Sequence, residues 1–253
     1  MLTAERQETI LQHLKKNGGS ATVREMARAL YVSEATVRRD LSEMASHGLL
    51  RRSHGGAVLI EQEEGEPSFF VRKEENTAEK RHLAEAVLPY LDEGSSFFLD
   101  SSSTVLALAA IWDAAHKTII TNGIDTAFLL SRKRDVQVVL PGGTLHYLAG
   151  AVWGALTMRQ LEGFHADTFI CSCGGIAPDG SLYESVTEGE IKASMMRHST
   201  RRILLADTSK LGRMKTYRFA SLADFDMLVT EKRPSDEICR ICEESGVKLL
   251  FLS

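Results

Sequence analysis

Val32-Ser33-Glu34-Ala35-Thr36-Val37-Arg38-Arg39-Asp40-Leu41 decides how the amino-terminal part of this chain folds. Ser33 is a natural N-cap, because its hydroxyl can accept from the free backbone N–H groups of the turn that follows. Glu34 falls in the first helical turn, where the macrodipole favours a carboxylate. At ~100° per residue, Val37, Leu41 and Met44 share one face. Ala35, Arg39 and Ser42 share the opposite face, with Thr36 and Arg38 on the flanks. An apolar back and a front of small, hydroxyl and guanidinium groups fit a DNA major groove. Small residues let the backbone approach, and Arg bonds guanine O6/N7 or phosphate in bidentate fashion.

The flanking sequence agrees. Residues Thr3–Lys16 read as a first helix with Ile10, Leu11 and Leu14 on one side. Residues Thr22–Leu30 read as a second helix with Val23, Met26, Ala27 and Leu30 inward. The turn Tyr31-Val32-Ser33 has the short length a helix-turn-helix needs. Beyond the third helix, Gly48 is a C-cap candidate. Leu49–Arg52 and Ala57–Leu59 can pair around Gly55 and Gly56 as a small β-wing. That places Arg51, Arg52 and His54 against the phosphate backbone. Residues 1–60 hold 9 Lys+Arg against 6 Asp+Glu, whereas residues 61–253 hold 21 against 28, giving the net charge of −4. The excess positive charge sits on the segment expected to meet DNA.

Residues 1–58 resemble the winged helix-turn-helix of DeoR-type bacterial repressors of sugar catabolism. The resemblance rests on Val-Ser-x-x-Thr-Val-Arg-Arg-Asp-Leu (32–41) and Arg-x-x-His-Gly-Gly-Ala (51–57). It implies that Ser33, Ala35, Thr36, Arg38, Arg39, Ser42, Arg51, Arg52 and His54 form the DNA-facing surface.

A chain of 253 residues with 43% hydrophobic content suits two packed domains. No apolar run approaches the ~20 residues of a membrane span; Val105–Trp112 suits a buried helix. The amino end shows no secretory signal, and four unevenly spaced cysteines fit a reducing cytoplasm. Glu61-Gln62-Glu63-Glu64-Gly65-Glu66 has no apolar period and is followed by Pro67. The expected organisation is a DNA-binding domain at 1–58, a linker at 59–72, and an effector-binding and oligomerisation domain at 73–253.

Past the linker, short apolar runs alternate with helical patterns. The runs are Ser96–Leu99, Thr118–Thr121, Val136–Leu140, Thr168–Cys173, Ile203–Ala206, Met227–Thr230 and Val247–Leu252. The helices are Lys80–Leu91, Thr104–Ala115, Ile124–Ser131, Glu188–His198 and Ser235–Ser245. This alternation predicts an α/β domain with a largely parallel sheet, in which ligands bind at the carboxyl ends of strands. The strand ends carry Asp100-Ser101-Ser102-Ser103-Thr104, Asn122-Gly123, Gly142-Gly143, Gly174-Gly175 and Asp207-Thr208-Ser209-Lys210. Hydroxyls and free N–H groups at the start of a helix suit an anion. Lys210 adds positive charge, and Asp100 and Asp207 can accept from sugar hydroxyls.

The DeoR resemblance extends to residues 66–253, through Glu79-Lys80, Asp100-x-x-Ser-Thr, Thr121-Asn122, Gly142-Gly143, Glu188…Lys192 and Asp207-x-Ser-Lys-x-Gly. It implies a Rossmann-like domain similar to ribose-5-phosphate isomerase and CoA-transferase folds. It also implies a phosphorylated sugar or related metabolite near Asp100, Ser103, Thr104, Asn122 and Lys210. Glu188 and Lys192 are either ligand contacts or an i,i+4 surface pair. The family usually has Gly where this chain has Ser102, which either leaves phosphate binding to the hydroxyls or changes the effector. No cofactor or metal is expected. Cys171, Cys173, Cys239 and Cys242 read as buried small hydrophobes rather than zinc ligands, and Trp112 and Trp153 as core. The implied protein is a cytoplasmic repressor acting as a homodimer or homotetramer on operator DNA, with no membrane partner. The alternative is a sugar-phosphate isomerase-like enzyme with an accessory DNA-binding domain.

Overall fold

The computed structural model describes residues 3–46, 49–59 and 68–252. Gly48, the acidic stretch 61–66 and Pro67 lie outside the described residues. Contacts divide the chain into two units, 1–75 and 76–253.

In the first unit, α1 (Thr3–Lys16), α2 (Val23–Leu30) and α3 (Glu34–Ser46) surround one core with Ile10, Leu14, Met26, Val37, Leu41 and Met44 inside. Thr22 begins α2 as a capping box. Its hydroxyl accepts from the Glu25 N–H at 3.2 Å, and the Glu25 carboxylate accepts from the Thr22 N–H at 2.7 Å. The wing consists of β2 (Leu50–Ser53) and β3 (Gly56–Leu59), and β1 (Ser20–Thr22) pairs with β3 as an unanticipated third strand. Gly56 makes this possible: a Cβ there would lie 2.3 Å from the Ala21 carbonyl oxygen. Residues 69–72, expected within the linker, instead lie in α4 (Phe69–Glu74). Val71 is fully buried in the first unit's core, and that burial holds a stretch too short for sequence periodicity to reveal.

The second unit begins with α5 (Thr77–Val87). Its main sheet contains the seven expected strands: β4 (Ser96–Leu99), β5 (Thr118–Thr121), β6 (Gln137–Val139), β9 (Ala166–Cys171), β12 (Ser199–Leu205), β14 (Met227–Thr230) and β15 (Lys248–Phe251). All pairings in it are parallel, in the order β15-β14-β12-β9-β4-β5-β6. Side chains alternate between two cores. Phe97, Leu99, Ile119, Ile170, Ile203 and Val229 face one side with α5, α6 (Ser103–Ile111) and α7 (Ile124–Ser131). Phe98, Ile120, Phe169, Leu204 and Leu228 face the other with α8 (Ala155–Leu161), α9 (Val186–Arg197) and α10 (Asp236–Ser245). Each large side chain so buried contributes ~1.5–3 kcal/mol.

Two small antiparallel sheets were not anticipated. One joins β10 (Gly175–Ile176), β11 (Ser181–Glu184) and β13 (Tyr217–Ser221); the other is the hairpin β7 (Thr144–His146) and β8 (Ala151–Trp153). The chain runs from β4 to one edge, then returns beside β4 as β9 and proceeds to the other edge. The switch point therefore lies between β4 and β9, the place where sheets of this kind bind ligands beyond the carboxyl ends of their strands. The strand ends at Cys171, so Cys173 lies in the following loop rather than in the strand. All four cysteines are free and buried, and no metal-ligating cluster occurs among the described residues. Trp112 is core; Trp153 is partly buried and stacks on His146 at 4.2 Å.

Candidate nucleic-acid interface and effector cleft

Helix α3 places Val37, Asp40, Leu41 and Met44 inward and leaves Ala35, Arg38, Arg39 and Ser42 exposed, with Thr36 half-buried. Ser33 caps the helix as expected, accepting from the Thr36 N–H at 3.1 Å, and its hydroxyl also meets that of Thr36. Arg38 is held by Glu34 one turn earlier at 2.7 Å. Arg52 reaches from the wing to the Ser42 hydroxyl at 2.6 Å, and Ser42 donates to the Arg38 carbonyl at 2.8 Å. These bonds brace the wing against α3. Arg39, Arg51 and His54 are exposed and have no side-chain partner among the described residues. They are the groups free to meet a polyanion.

Two features escaped sequence reasoning. Asp40, in the middle of the decisive stretch, is buried and takes a bidentate contact from Arg6, Nε at 2.5 Å and Nη2 at 2.9 Å. That pair fixes the rotation of α3 relative to α1, and so decides which face α3 presents. Tyr31, in the turn, is 96% exposed with φ 55°, a left-handed conformation that closes α2. Neither is visible as a periodicity.

At the sheet edge, Asp100 follows β4 and Ser172 follows β9, on either side of the switch point. Asp100 is 1% exposed. One carboxylate oxygen accepts from the Ser102 N–H at 3.0 Å and hydroxyl at 2.6 Å; the other accepts from the Ser172 N–H at 3.0 Å and faces Lys192 Nζ at 3.1 Å. With four donors in place, Asp100 organises the loop instead of waiting for sugar hydroxyls. Lys192 is equally committed, donating to the Ser172 carbonyl at 2.9 Å and to Glu184 at 2.8 Å. Burial opposes its charge, but Glu184, Asp100 and Glu188 outweigh that and raise it well above the ordinary lysine value. Glu188 and Lys192 are both buried, so the surface-pair reading is corrected. The reason is that α9 packs this face beneath the switch point. Glu184 also binds Lys215 at 3.0 Å. Glu184 ends β11 and Lys192 lies in α9, so no single helical or strand period links them and the cluster left no signal in the sequence.

Ser102 has φ −70°, ψ 150°, so the position does not require glycine. Its hydroxyl caps α6, accepting from the Val105 N–H at 3.2 Å, while donating to Asp100. Ser101, Ser103 and Thr104 are buried at the same helix start, and their hydroxyls have no hydrogen bond among the described residues. Asn122 lies alongside, since a Cβ on Gly123 would touch the Ser101 Cα at 3.0 Å. Its amide donates to the Val152 carbonyl at 3.3 Å, whereas its carbonyl oxygen is buried without a partner. Gly142 and Gly143 do not join the site as open backbone. The Gly142 N–H donates to Gln160 at 2.6 Å, its carbonyl accepts from Thr157 at 2.8 Å, and a Cβ on Gly143 would lie 2.1 Å from the Thr157 hydroxyl. Close packing of α8 is what these glycines permit.

After β12, one Asp207 oxygen accepts from the Ser209 N–H at 3.1 Å and from its hydroxyl. The other is buried with no partner among the described residues. Lys210 is half-buried and likewise has none. Burial pushes the Cys173 thiol up to about 12, with Glu184 adding to the shift and Lys192 and Lys210 opposing it; Asp207 also acts on it. Cys173 is therefore neutral, with Glu184, Lys192, Lys210 and Asp207 near enough to act on it.

Residues 6–63 match the DeoR-like helix-turn-helix domain and residues 75–232 the DeoR C terminal sensor domain. The chain is 34% identical over 250 residues to an uncharacterized HTH-type transcriptional regulator of Bacillus subtilis (strain 168), covering 98% of this chain and 96% of the relative. It is 31% identical over 250 residues to the HTH-type transcriptional repressor GlcR of the same organism, covering 99% and 96%. It is also 31% identical over 251 residues to the glycerol-3-phosphate regulon repressor of Escherichia coli (strain K12), covering 98% and 99%. Among solved structures, ribose 5-phosphate isomerase A of Neisseria gonorrhoeae aligns over 52% of each chain at 14% identity and a TM-score of 0.38, too distant to bear on activity. The isomerase alternative is set aside, because the family models matched are a DNA-binding and a sensor domain and these relatives are named as regulators. This chain belongs to the DeoR family of DNA-binding transcriptional regulators.

Proposed function

We propose that this regulator represses a carbohydrate-catabolism operon and that a phosphorylated sugar controls it. The observation that carries the reading is the front of α3: Ala35 and Arg39 are exposed beside Ser42, and Arg39 has no partner among the described residues. Arg39 reads a base edge in the major groove, and Arg51 and His54 of the wing hold phosphates. Ser33, Thr36, Arg38, Ser42 and Arg52 shape that surface through their mutual bonds. The sugar's phosphate sits at the start of α6, where Ser101, Ser103 and Thr104 offer hydroxyls and unpaired N–H groups, with Lys210 supplying charge. Asn122 and Asp207 line the same edge.

One recognition helix discriminates too few base pairs, so the protein works as a homodimer or homotetramer on repeated half-sites. Its working divisions are 1–58 for DNA, a connecting segment within 59–72, and 73–253 for effector and assembly. It acts in the cytoplasm; no helix of the described residues is long and apolar enough to cross a membrane. Coupling of ~1–3 kcal/mol between effector and operator, roughly 5–150-fold in affinity, is enough for a switch. Fluorescence anisotropy with promoter fragments, at two salt concentrations and with or without sugar phosphates, tests the reading. Salt-dependent, sequence-selective binding that a sugar phosphate alters is expected. Binding that ignores both fragment sequence and metabolite overturns it.

A further inference from the structure

Helix α7 (Ile124–Ser131) is apolar on both of its sides. Thr126, Ala127 and Leu130 form its buried side. At ~100° per residue, Asp125, Phe128 and Arg132 fall within ~60° of one another on the opposite side, with Leu129 at the margin. Phe128 is 64% exposed there, and Ile124 and Leu129 are half-buried. A helix with apolar side chains all round is one that is covered all round. The patch extends past the helix. The Gly150 carbonyl accepts from the Ile124 N–H at 2.9 Å, and the Gly150 N–H donates to the Tyr147 carbonyl at 3.0 Å. These bonds set Tyr147, 54% exposed, beside the start of α7. Adjoining large apolar side chains left in solvent mark a protein-binding surface.

The charges on this face identify what covers it. Asp125 stands in the first turn and Arg132 at the C-cap, ~10 Å apart along the axis, with Phe128 and Leu129 midway. The Arg132 guanidinium lies over the Phe128 ring, 5.6 Å from its centroid. Lys133, next in the chain, turns away and donates to the Ala110 and Trp112 carbonyls. A twofold axis between Phe128 and Leu129 sets two copies of α7 antiparallel. Asp125 of each copy then faces Arg132 of the other, and Phe128 of each meets Leu129 of the other. A face with an acid at one end, a base at the other and apolar side chains between complements itself, as a twofold interface requires. A partner presenting one sign of charge would be repelled at one end. We infer that the outward face of α7 is a docking surface for a second copy of this chain, packed antiparallel about that axis. This inference rests on the homo-oligomer reading above and adds the surface and its register.

The test is sedimentation velocity of the full chain over a concentration series, with circular dichroism melting to show that each variant folds. Phe128→Asp places a charge where solvent already reaches, so the fold is expected to keep its melting transition. Its association is expected to weaken about 100-fold, the loss of a central aromatic anchor. Charge exchange then reads the register. Arg132→Glu alone sets acid against acid at both ends of the pair, and Asp125→Lys alone sets base against base. Each is expected to weaken self-association roughly tenfold or more. An equimolar mixture of R132E and D125K restores both opposite-charge contacts in a mixed pair, and is expected to associate as the wild-type protein does. Wild-type oligomers that F128D leaves intact overturn the inference and keep the oligomer reading, because another surface then joins the copies. Charge variants that associate as tightly as wild type, or a mixture of folded variants that recovers nothing, overturn the antiparallel register and the inference with it. A wild-type chain that stays monomeric throughout overturns the oligomer reading itself, and this inference falls with it.

Discussion

The DNA-facing surface and the sheet-edge cleft are built in opposite ways. On α3 the groups proposed to meet DNA are exposed and come from one contiguous stretch, while Asp40, which pairs with Arg6 beneath them, is hidden. In the cleft the charged groups themselves are hidden. Asp100, Glu184, Glu188, Lys192 and Asp207 are all 5% exposed or less and come from four places in the chain: the ends of β4 and β12, the strand β11 and the helix α9. A protruding helix needs only orientation, because DNA brings its own charge and shape. A small metabolite must be enclosed, so its site is made of buried polar groups that have to satisfy one another first.

That contrast predicts where substitutions hurt most. Lys192→Met should cost ~3–5 kcal/mol of the second unit's stability, since it strands Asp100 as a buried charge without its cation and leaves Glu184 with Lys215 alone. Urea denaturation followed by tryptophan fluorescence measures it, both tryptophans lying in that unit. A loss below ~1 kcal/mol would mean the cluster does not hold the switch point together.

Arg39→Ala should cost ~1–3 kcal/mol in operator affinity and relax preference at one base position. Arg38→Ala should cost less and uniformly, because that side chain is engaged by Glu34. Anisotropy with single-base operator variants separates the two, and equal, sequence-independent losses would remove Arg39 from base reading.

Thr22→Ala should destabilise the first unit by ~1 kcal/mol through loss of the α2 capping box. Thermal unfolding of the variant checks this, and an unchanged midpoint would leave the box without energetic weight.

The smallest expected effect concerns acid. Ser95 and Ser96 donate backbone and hydroxyl groups to Asp167 and hold its carboxyl below the ordinary carboxylate value. A carboxyl with a lowered folded value stabilises the fold above its unfolded value of ~3.9 and loses that contribution as pH falls through the folded one. The difference in melting temperature between the wild-type protein and Asp167→Asn should therefore be constant near neutrality and shrink on acidification below pH 4. A difference independent of pH would assign Asp167 a role other than charge.

Local chemistry in the sequence was enough to locate α3 and its Ser33 cap, the wing around Gly55 and Gly56, and the seven strands of the parallel sheet. Each depends on neighbours a few residues apart: a cap, a 3.6-residue stripe, a short β-branched run. Where most strands ended was legible for the same reason, so Ser101–Thr104, Asn122 and Asp207 could be named in advance, although β9 stops at Cys171, two residues before its apolar run does. What those residues do was not. Only tertiary structure pairs Arg6 with Asp40 across 34 positions and Lys192 with Asp100 and Glu184. It alone consumes both backbone groups of Gly142 and leaves one oxygen of Asp207 without a donor. Hydrogen-bond satisfaction in a folded interior is a property of all the groups that meet there, and no local window of the chain contains them.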